Sequence, residues 1–139
     1  MNKKEYKEAY SIQGNCLKKD VCPMVLVQSL LAGKRKILIL WYLSDKILRF
    51  NEIKKKLSDV TQKMLTKQLR SLEEDHLIFR HVYPVIPPKV EYGLTEIGRE
   101  IIPILEMMHG FGEVYLKHEQ HDANRNIVND LDEAVRKTI

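Results

Sequence analysis

The stretch that decides the fold runs from Thr61 to Tyr92 and reads TQKMLTKQLRSLEEDHLIFRHVYPVIPPKVEY. Its first part is polar and basic, and Thr61 suits the N-cap of a helix that ends near His76. Two strand-like segments follow, LIFRHVY at 77–83 and VEYGL at 90–94, and the second alternates apolar and polar residues as a half-buried strand does. Prolines at 84, 87 and 88 stiffen the loop between them and remove backbone donors. The stretch therefore predicts a basic helix followed by a rigid β-hairpin.

At about 100° per residue, this helix separates into two faces. Leu65, Leu69 and Leu72 fall on one side. The other side carries side chains that can contact DNA, with Gln62 at its leading edge: Gln62, Lys63, Thr66, Lys67 and Arg70. Lysine and arginine suit guanine, glutamine suits adenine, and threonine can hydrogen-bond or touch the thymine methyl. Helix and hairpin together indicate a winged helix-turn-helix that reads the major groove, although an ordinary solvated helix face is the alternative.

Apolar patterns elsewhere predict a mainly α-helical fold with this small hairpin as its wing. Before the stretch we expect a helix from Pro23 with Gly33 as its C-cap, a second over Lys34–Leu43 and a third over Asn51–Leu57. After it, Thr95 caps an amphipathic helix to about Lys117, which Pro103 kinks or breaks. A last helix carries apolar residues at 127, 131 and 135. We divide the chain into an arm (1–21), a DNA-binding core (22–95) and C-terminal helices (96–139).

The C-terminal helices have more apolar surface than a small core can cover. The surplus lies at Ile97, Ile101, Ile104, Leu105, Met108 and Phe111. An amphipathic helix with surplus apolar surface favours a partner, and a two-fold homodimer is the commonest solution.

Further cations flank the proposed reading helix. Lysines at 54, 55 and 56 lie on the preceding helix, Arg49 precedes that helix, and Lys89 stands beside the proline loop. Lys34, Arg35 and Lys36 begin the second helix, where positive charge opposes the helix dipole unless an anion binds there. We predict phosphate contacts at these positions. A free solvated cluster, and a proline-rich turn with no partner, are the alternatives.

Bulk composition agrees with a small binding protein. The formal net charge of +4 and a pI near 9.0 favour a polyanionic partner. No apolar run is long enough to span a membrane, and the N-terminus has no signal-peptide core. Two cysteines are too few for a disulfide framework, so we expect a cytoplasmic protein with reduced thiols.

An enzyme is not expected, and neither is a cofactor. The sequence contains no phosphate-binding glycine loop and no nucleophile–base pattern. His118 and His121 are spaced for a metal on a helix, but a polar linker is their more typical context. A winged helix that binds only proteins is the other alternative, and it would lack a coherent basic face.

Residues from Cys22 to about Gly112 resemble the HxlR-type winged helix-turn-helix regulators, relatives of the MarR group. The matching landmarks are Cys22-Pro23, LAGKRK at 31–36, LRFNEI at 48–53, TQKMLTKQLR at 61–70, VYPVIPPKVEY at 82–92 and LTEIG at 94–98. The resemblance implies a homodimer that binds a pseudo-palindromic operator and regulates neighbouring genes. Arg35 replaces a usual Trp, and His76 replaces a usual Gly.

Some members of this family sense electrophiles or oxidants through a cysteine just before the first core helix, where Cys22 stands. A helix N-terminus and the nearby Lys18 and Lys19 favour its thiolate. Cys16 could be its resolving partner if the arm is flexible. Alternatively, Cys22 is a small buried hydrophobe, and sensing through a noncovalent ligand, or no sensing, stays open.

Overall fold

The computed structural model of the protein describes residues 22–121 and 133–137. The chain divides into two compact units, Met1–Gly33 and Lys34–Ile139. In the described part of the first unit lies helix α1 (Pro23–Leu31), which begins at Pro23 as predicted. Its C-cap is Ala32 and not Gly33, because Ala32 already has extended backbone. The predicted arm, 1–21, lies outside the described residues.

In its described residues up to position 121, the second unit contains five helices and three strands. They are α2 (Lys36–Asp45), β1 (Leu48–Arg49), α3 (Phe50–Lys56), α4 (Gln62–Glu74), β2 (Ile78–Tyr83), β3 (Lys89–Leu94), α5 (Glu96–Arg99) and α6 (Ile102–His121). The strands form an antiparallel sheet in the order β1-β3-β2. This confirms the mainly helical fold with a small hairpin wing. Strand β1 lies at an edge of this sheet and has only two residues.

The core lies where α2, α3 and α4 pack on the sheet. Its fully buried side chains are Ile39, Leu40, Leu48, Ile53, Leu65, Leu69, Leu72, Ile78 and Leu105. Helix α2 is central to this core, and it begins at Lys36, two residues later than the predicted start at Lys34. The cause is Arg35, whose φ of 69° is left-handed and which acts as the N-cap.

The corner between α4 and the C-terminal helices is closely packed. The hydroxyl of Thr95 accepts a hydrogen bond from the Gly98 amide at 3.0 Å and donates one to the His76 carbonyl at 2.6 Å. A Cβ at position 98 would lie 2.0 Å from the Leu77 carbonyl oxygen, so only glycine fits. Thr95 is therefore the predicted cap. The predicted break also occurs, between α5 and α6, with Pro103 as the second residue of α6.

The predicted alternation along β3 is wrong at Gly93. Gly93 is buried together with Tyr92 and Leu94, whereas Val90 is half-buried. It pairs with Phe79 of β2, and a Cβ there would lie 2.5 Å from the Phe79 ring. The aromatic ring covers the glycine, so this position is inside the structure although the pattern places it outside.

Helix α6 leaves much of its apolar surface uncovered. Ile101 and Leu105 are buried, whereas Met107, Phe111 and Val114 are 77%, 69% and 65% exposed. Of the predicted last helix, residues 133–137 are helical, and positions 127 and 131 lie outside the described residues. No helix within the described ranges is long and apolar enough to cross a membrane.

Candidate nucleic-acid interface

Helix α4 has the two faces that its periodicity predicts. Leu65, Leu69 and Leu72 are at most 1% exposed and fix the helix on the core. Thr61 caps the N-terminus, because its hydroxyl accepts a hydrogen bond from the Met64 amide at 3.1 Å. The buried leucine stripe sets which side of α4 is turned outward.

The outward side of α4 brings together the predicted base-reading residues. One continuous surface is lined by Gln62, Lys63, Thr66, Lys67, Arg70, Ser71 and Glu74. The three cations and Gln62 are exposed, and Thr66 is half-exposed. The Thr66 hydroxyl donates to the Gln62 carbonyl at 2.8 Å, which leaves its lone pairs and methyl group for a ligand. Ser71 also lines this surface but was not predicted, because an uncharged serine gives no signal for DNA contact in the sequence.

The predicted phosphate-contacting lysines of α3 do not line this surface, and Lys56 lies instead beside Tyr42 of α2. Lys55 and Lys56 are exposed and Lys54 is half-buried. The ammonium of Lys56 lies 5.1 Å from the centre of the Tyr42 ring, a cation–π distance.

Lys89 lies at the loop end of the hairpin, where it pairs with Tyr83 across the two strands. The ammonium of Lys89 lies 3.0 Å from the Glu91 carboxylate and 4.6 Å from the Tyr83 ring centre. The Tyr83 hydroxyl donates to the same carboxylate at 2.9 Å. The hydrogen bonds from Lys89 and then from Tyr83 lower the pKa of Glu91, and the bond to Glu91 raises the pKa of Tyr83. Lys89 therefore already has an anionic partner within the chain.

Arg49 and Lys89 lie on one groove of about 410 Å³ between the start of α3 and the proline loop. Arg49 is exposed and pairs in register with Glu91 of β3. The structure thus brings these two predicted phosphate contacts together, although they are 40 positions apart in the sequence.

Two of the cations at the start of α2 have partners inside the chain, which the sequence did not indicate. Arg35 forms an ion pair with Asp59, and Lys36 is 4% exposed and donates to the Ser71 hydroxyl at 2.6 Å. The guanidinium of Arg35 points to the turn before α4, and the ammonium of Lys36 points to α4 itself. This arrangement does not present either residue as a DNA contact. Lys34 is half-exposed. Burial raises the pKa of Asp59, but the hydrogen bond and charge of Arg35 outweigh it and leave that pKa lowered.

Cys22 is the N-cap of α1, as expected for a cysteine just before the first core helix. It is 6% exposed and disulfide-bonded, so the prediction of reduced thiols does not describe this state. Cys16 lies outside the described residues. Among those residues, no cluster of three metal-ligating side chains occurs.

Known proteins match this chain over the elements that carry the interface. The sequence profile of the HxlR-like helix-turn-helix family matches residues 30–120. An uncharacterized HTH-type transcriptional regulator of Methanothermobacter thermautotrophicus is 42% identical over 105 residues, which are 76% of this chain and 80% of that protein. The redox regulator HypR in its oxidized form shares 43% identity, with 67% of this chain and 96% of that one covered and a TM-score of 0.64. The reduced form of the transcriptional regulator YodB from Bacillus subtilis shares 35% identity, with 66% and 91% covered and a TM-score of 0.59.

Proposed function

The chain belongs to the HxlR-like helix-turn-helix family of transcriptional regulators, and on that premise we propose that it is a homodimer that binds a specific, pseudo-palindromic operator in the cytoplasm. One observation carries the proposal. The outward face of α4 combines exposed cations with Gln62 and Thr66, while its other face is fully buried in the core. A helix held in this way presents one rigid, base-reading surface.

In the proposed complex, the N-terminal half of α4 enters the major groove. Gln62, Lys63, Thr66 and Lys67 read base edges there, and Arg70 lies farther along the same face. The hydroxyl hydrogen of Thr66 is used on the Gln62 carbonyl, so we expect Thr66 to contact a base through its methyl group or its oxygen lone pairs. These contacts supply the sequence preference, and each good base contact contributes about 1–3 kcal/mol.

The groove of Arg49 and Lys89 is the proposed backbone contact. Phosphates follow the edge of the groove that the wing flanks, and cations there position the protein without reading sequence. Lys89 shares its charge with Glu91 at 3.0 Å, so we expect Arg49, which is exposed, to make the stronger phosphate contact. Lys34 remains a candidate, whereas Arg35 and Lys36 are not included in the proposed set.

The homodimer is supported by the exposed stripe on α6. Met107, Phe111 and Val114 recur at intervals of four and three residues, so they share one face of the helix. Exposed apolar patches of this kind mark interaction sites in soluble proteins. In the proposed dimer we expect the two α4 helices to lie about 34 Å apart, which is the separation of successive major grooves.

A thiol signal is the regulatory part of the proposal. Cys22 is disulfide-bonded here, and the chain contains one other cysteine, Cys16, to serve as an intrachain partner. The similar HypR is a redox regulator by name, and both its oxidized and its reduced form match this chain. We propose that oxidation at Cys22 changes the dimer and thereby operator affinity.

A winged helix that binds another protein is the competing function. DNA binding and protein binding differ in salt dependence, because the release of counterions from DNA makes its affinity fall steeply with salt concentration. The test is selection of bound sequences from random duplex DNA, followed by titration of the selected duplex at several salt concentrations. We expect one enriched two-fold motif. Replacing Gln62, Lys63, Thr66 and Lys67 together by alanine should abolish the preference. Unchanged affinity in that variant, or no enriched motif, contradicts the proposal.

A further inference from the structure

Lys36 is a buried cation with no carboxylate partner in the part of the chain that the structure describes. It is 4% exposed, and its ammonium donates to the hydroxyl of Ser71 at 2.6 Å. No carboxylate of the described residues lies within 4.0 Å of that ammonium. A serine hydroxyl is a weak counterpart for a full charge, so most of the desolvation cost is not compensated.

The position of Lys36 adds to that cost. It is the first residue of α2, where the helix dipole is positive, and the first turn of α2 contains no acidic residue. A methionine of similar length would fill the same space without a buried charge. Packing alone therefore does not explain why position 36 is a lysine. The hydrogen bond from its ammonium to Ser71 of α4 does explain it.

Arg35 makes a second link from the same end of α2. Its Nε lies 2.8 Å from the carboxylate of Asp59, and a second guanidinium nitrogen contacts the same oxygen. Asp59 stands two residues before Thr61, the N-cap of α4. Ser71 lies nine residues into α4, beside Arg70 on the outward face. The two links therefore hold α4 near its start and toward its end.

We infer that Arg35 and Lys36 are positioning residues, which fix the tilt and register of α4 through Asp59 and Ser71 and make no DNA contact of their own. This inference rests on the proposed function, in which α4 reads the operator. Two anchors about a helix length apart determine orientation, which one anchor cannot do. Base readout requires this, because hydrogen bonds weaken steeply with small changes of distance and angle.

The test is to replace Lys36 by methionine and measure affinity for the operator and for random duplex DNA. We expect the ratio of the two affinities to fall roughly tenfold, the effect of losing one hydrogen bond to a charged group. The melting temperature should stay level or rise, because a buried charge is removed. Lys46→Met is the matched control, since Lys46 is exposed just after α2 and its loss changes the net charge equally. It should leave the ratio unchanged.

Ser71→Ala completes a double-mutant cycle. The double variant should be no worse than Lys36→Met alone if the two groups act through one hydrogen bond. At the other anchor, Arg35→Asp should lower the ratio, and adding Asp59→Arg should restore part of it. If the decreases in the affinity ratio caused by the single substitutions add up in both cycles, the inference is overturned.

Two further results separate the alternatives. A salt dependence flattened by about one unit in Lys36→Met would identify a direct phosphate contact and overturn positioning. A lower melting temperature with an unchanged affinity ratio would identify packing alone. Amide hydrogen exchange in α4 gives a readout without DNA, and Lys36→Met should weaken protection around Ser71 in particular. The protein could show weakened exchange protection in Lys36→Met and yet no operator preference. That result would contradict the proposed function but still support the positioning of α4 by Lys36.

Discussion

Replacing His76 by glycine should stabilise the protein. His76 has a φ of 59°, in the left-handed region where a Cβ is strained, and its side chain is exposed. Its backbone amide donates to the Glu73 carbonyl at 2.9 Å, and its carbonyl accepts from Thr95 at 2.6 Å. Both bonds use backbone groups that glycine retains. The substitution thus removes backbone strain and keeps both hydrogen bonds at the corner between α4 and the C-terminal helices.

The magnitude follows from two opposing effects. A left-handed residue with a Cβ costs about 1–2 kcal/mol, and the greater freedom of unfolded glycine costs roughly 0.5–1 kcal/mol. The difference is a gain of about 0.5–1 kcal/mol, or a rise in melting temperature of about 2–4 °C for a chain of this size.

Thermal unfolding followed by circular dichroism measures this shift, and His76→Ala is the control. Alanine keeps the Cβ and removes the imidazole, so it should leave the free energy of unfolding within about 0.5 kcal/mol of wild type. If alanine stabilises as much as glycine, the imidazole and not the backbone is responsible. A glycine variant that melts lower than wild type would refute the reasoning.

Three other predictions address the dimer, the acid stability and the thiol signal. Phe111→Asp should turn the dimer into a monomer in sedimentation equilibrium at micromolar concentration, because each side chain buried there contributes about 1.5–3 kcal/mol; a wild-type monomer would contradict the proposed interface. The pKa of Asp59 is lowered, so its ion pair with Arg35 stabilises the protein above about pH 4 and is lost as pH falls through the folded-state pKa. Asp59→Asn should therefore make stability less dependent on pH below about 4 in urea titrations, and an unchanged profile would contradict this. Diamide should release wild-type protein, reduced beforehand, from its operator and leave Cys22→Ser bound; identical responses would make Cys22 structural.

Local periodicity made helix α4 and its outward polar face predictable. The leucine stripe and the polar face repeat within one helix, and Thr61 and Thr95 mark helix starts by their own side chains. The predicted apolar surplus on α6 rests on the same kind of pattern. The base contacts themselves stay predictions.

Contacts between residues that are distant in the sequence could not be predicted from the sequence. Arg35 and Lys36 look like a solvated cluster in the sequence, but their partners lie 24 and 35 residues away and meet them only in the folded chain. Gly93 breaks the alternation of its strand, because a ring from β2 covers it. Strand β1 has two residues, too few for any periodic pattern. His76 was identifiable only as a departure from the usual glycine, and its positive φ now gives the physical reason for that glycine.

The central claim is that two α4 helices occupy major grooves of one operator, and tethered cleavage tests it most directly. An iron chelate is attached at Glu74→Cys, on the outward face of α4, in a protein whose native cysteines are serine. The proposal predicts two clusters of strand cleavage, symmetric about the operator centre and separated by about 10 base pairs or a multiple of that distance. A single cluster, or cleavage no greater than that of the free chelate while the protein stays bound, would contradict it.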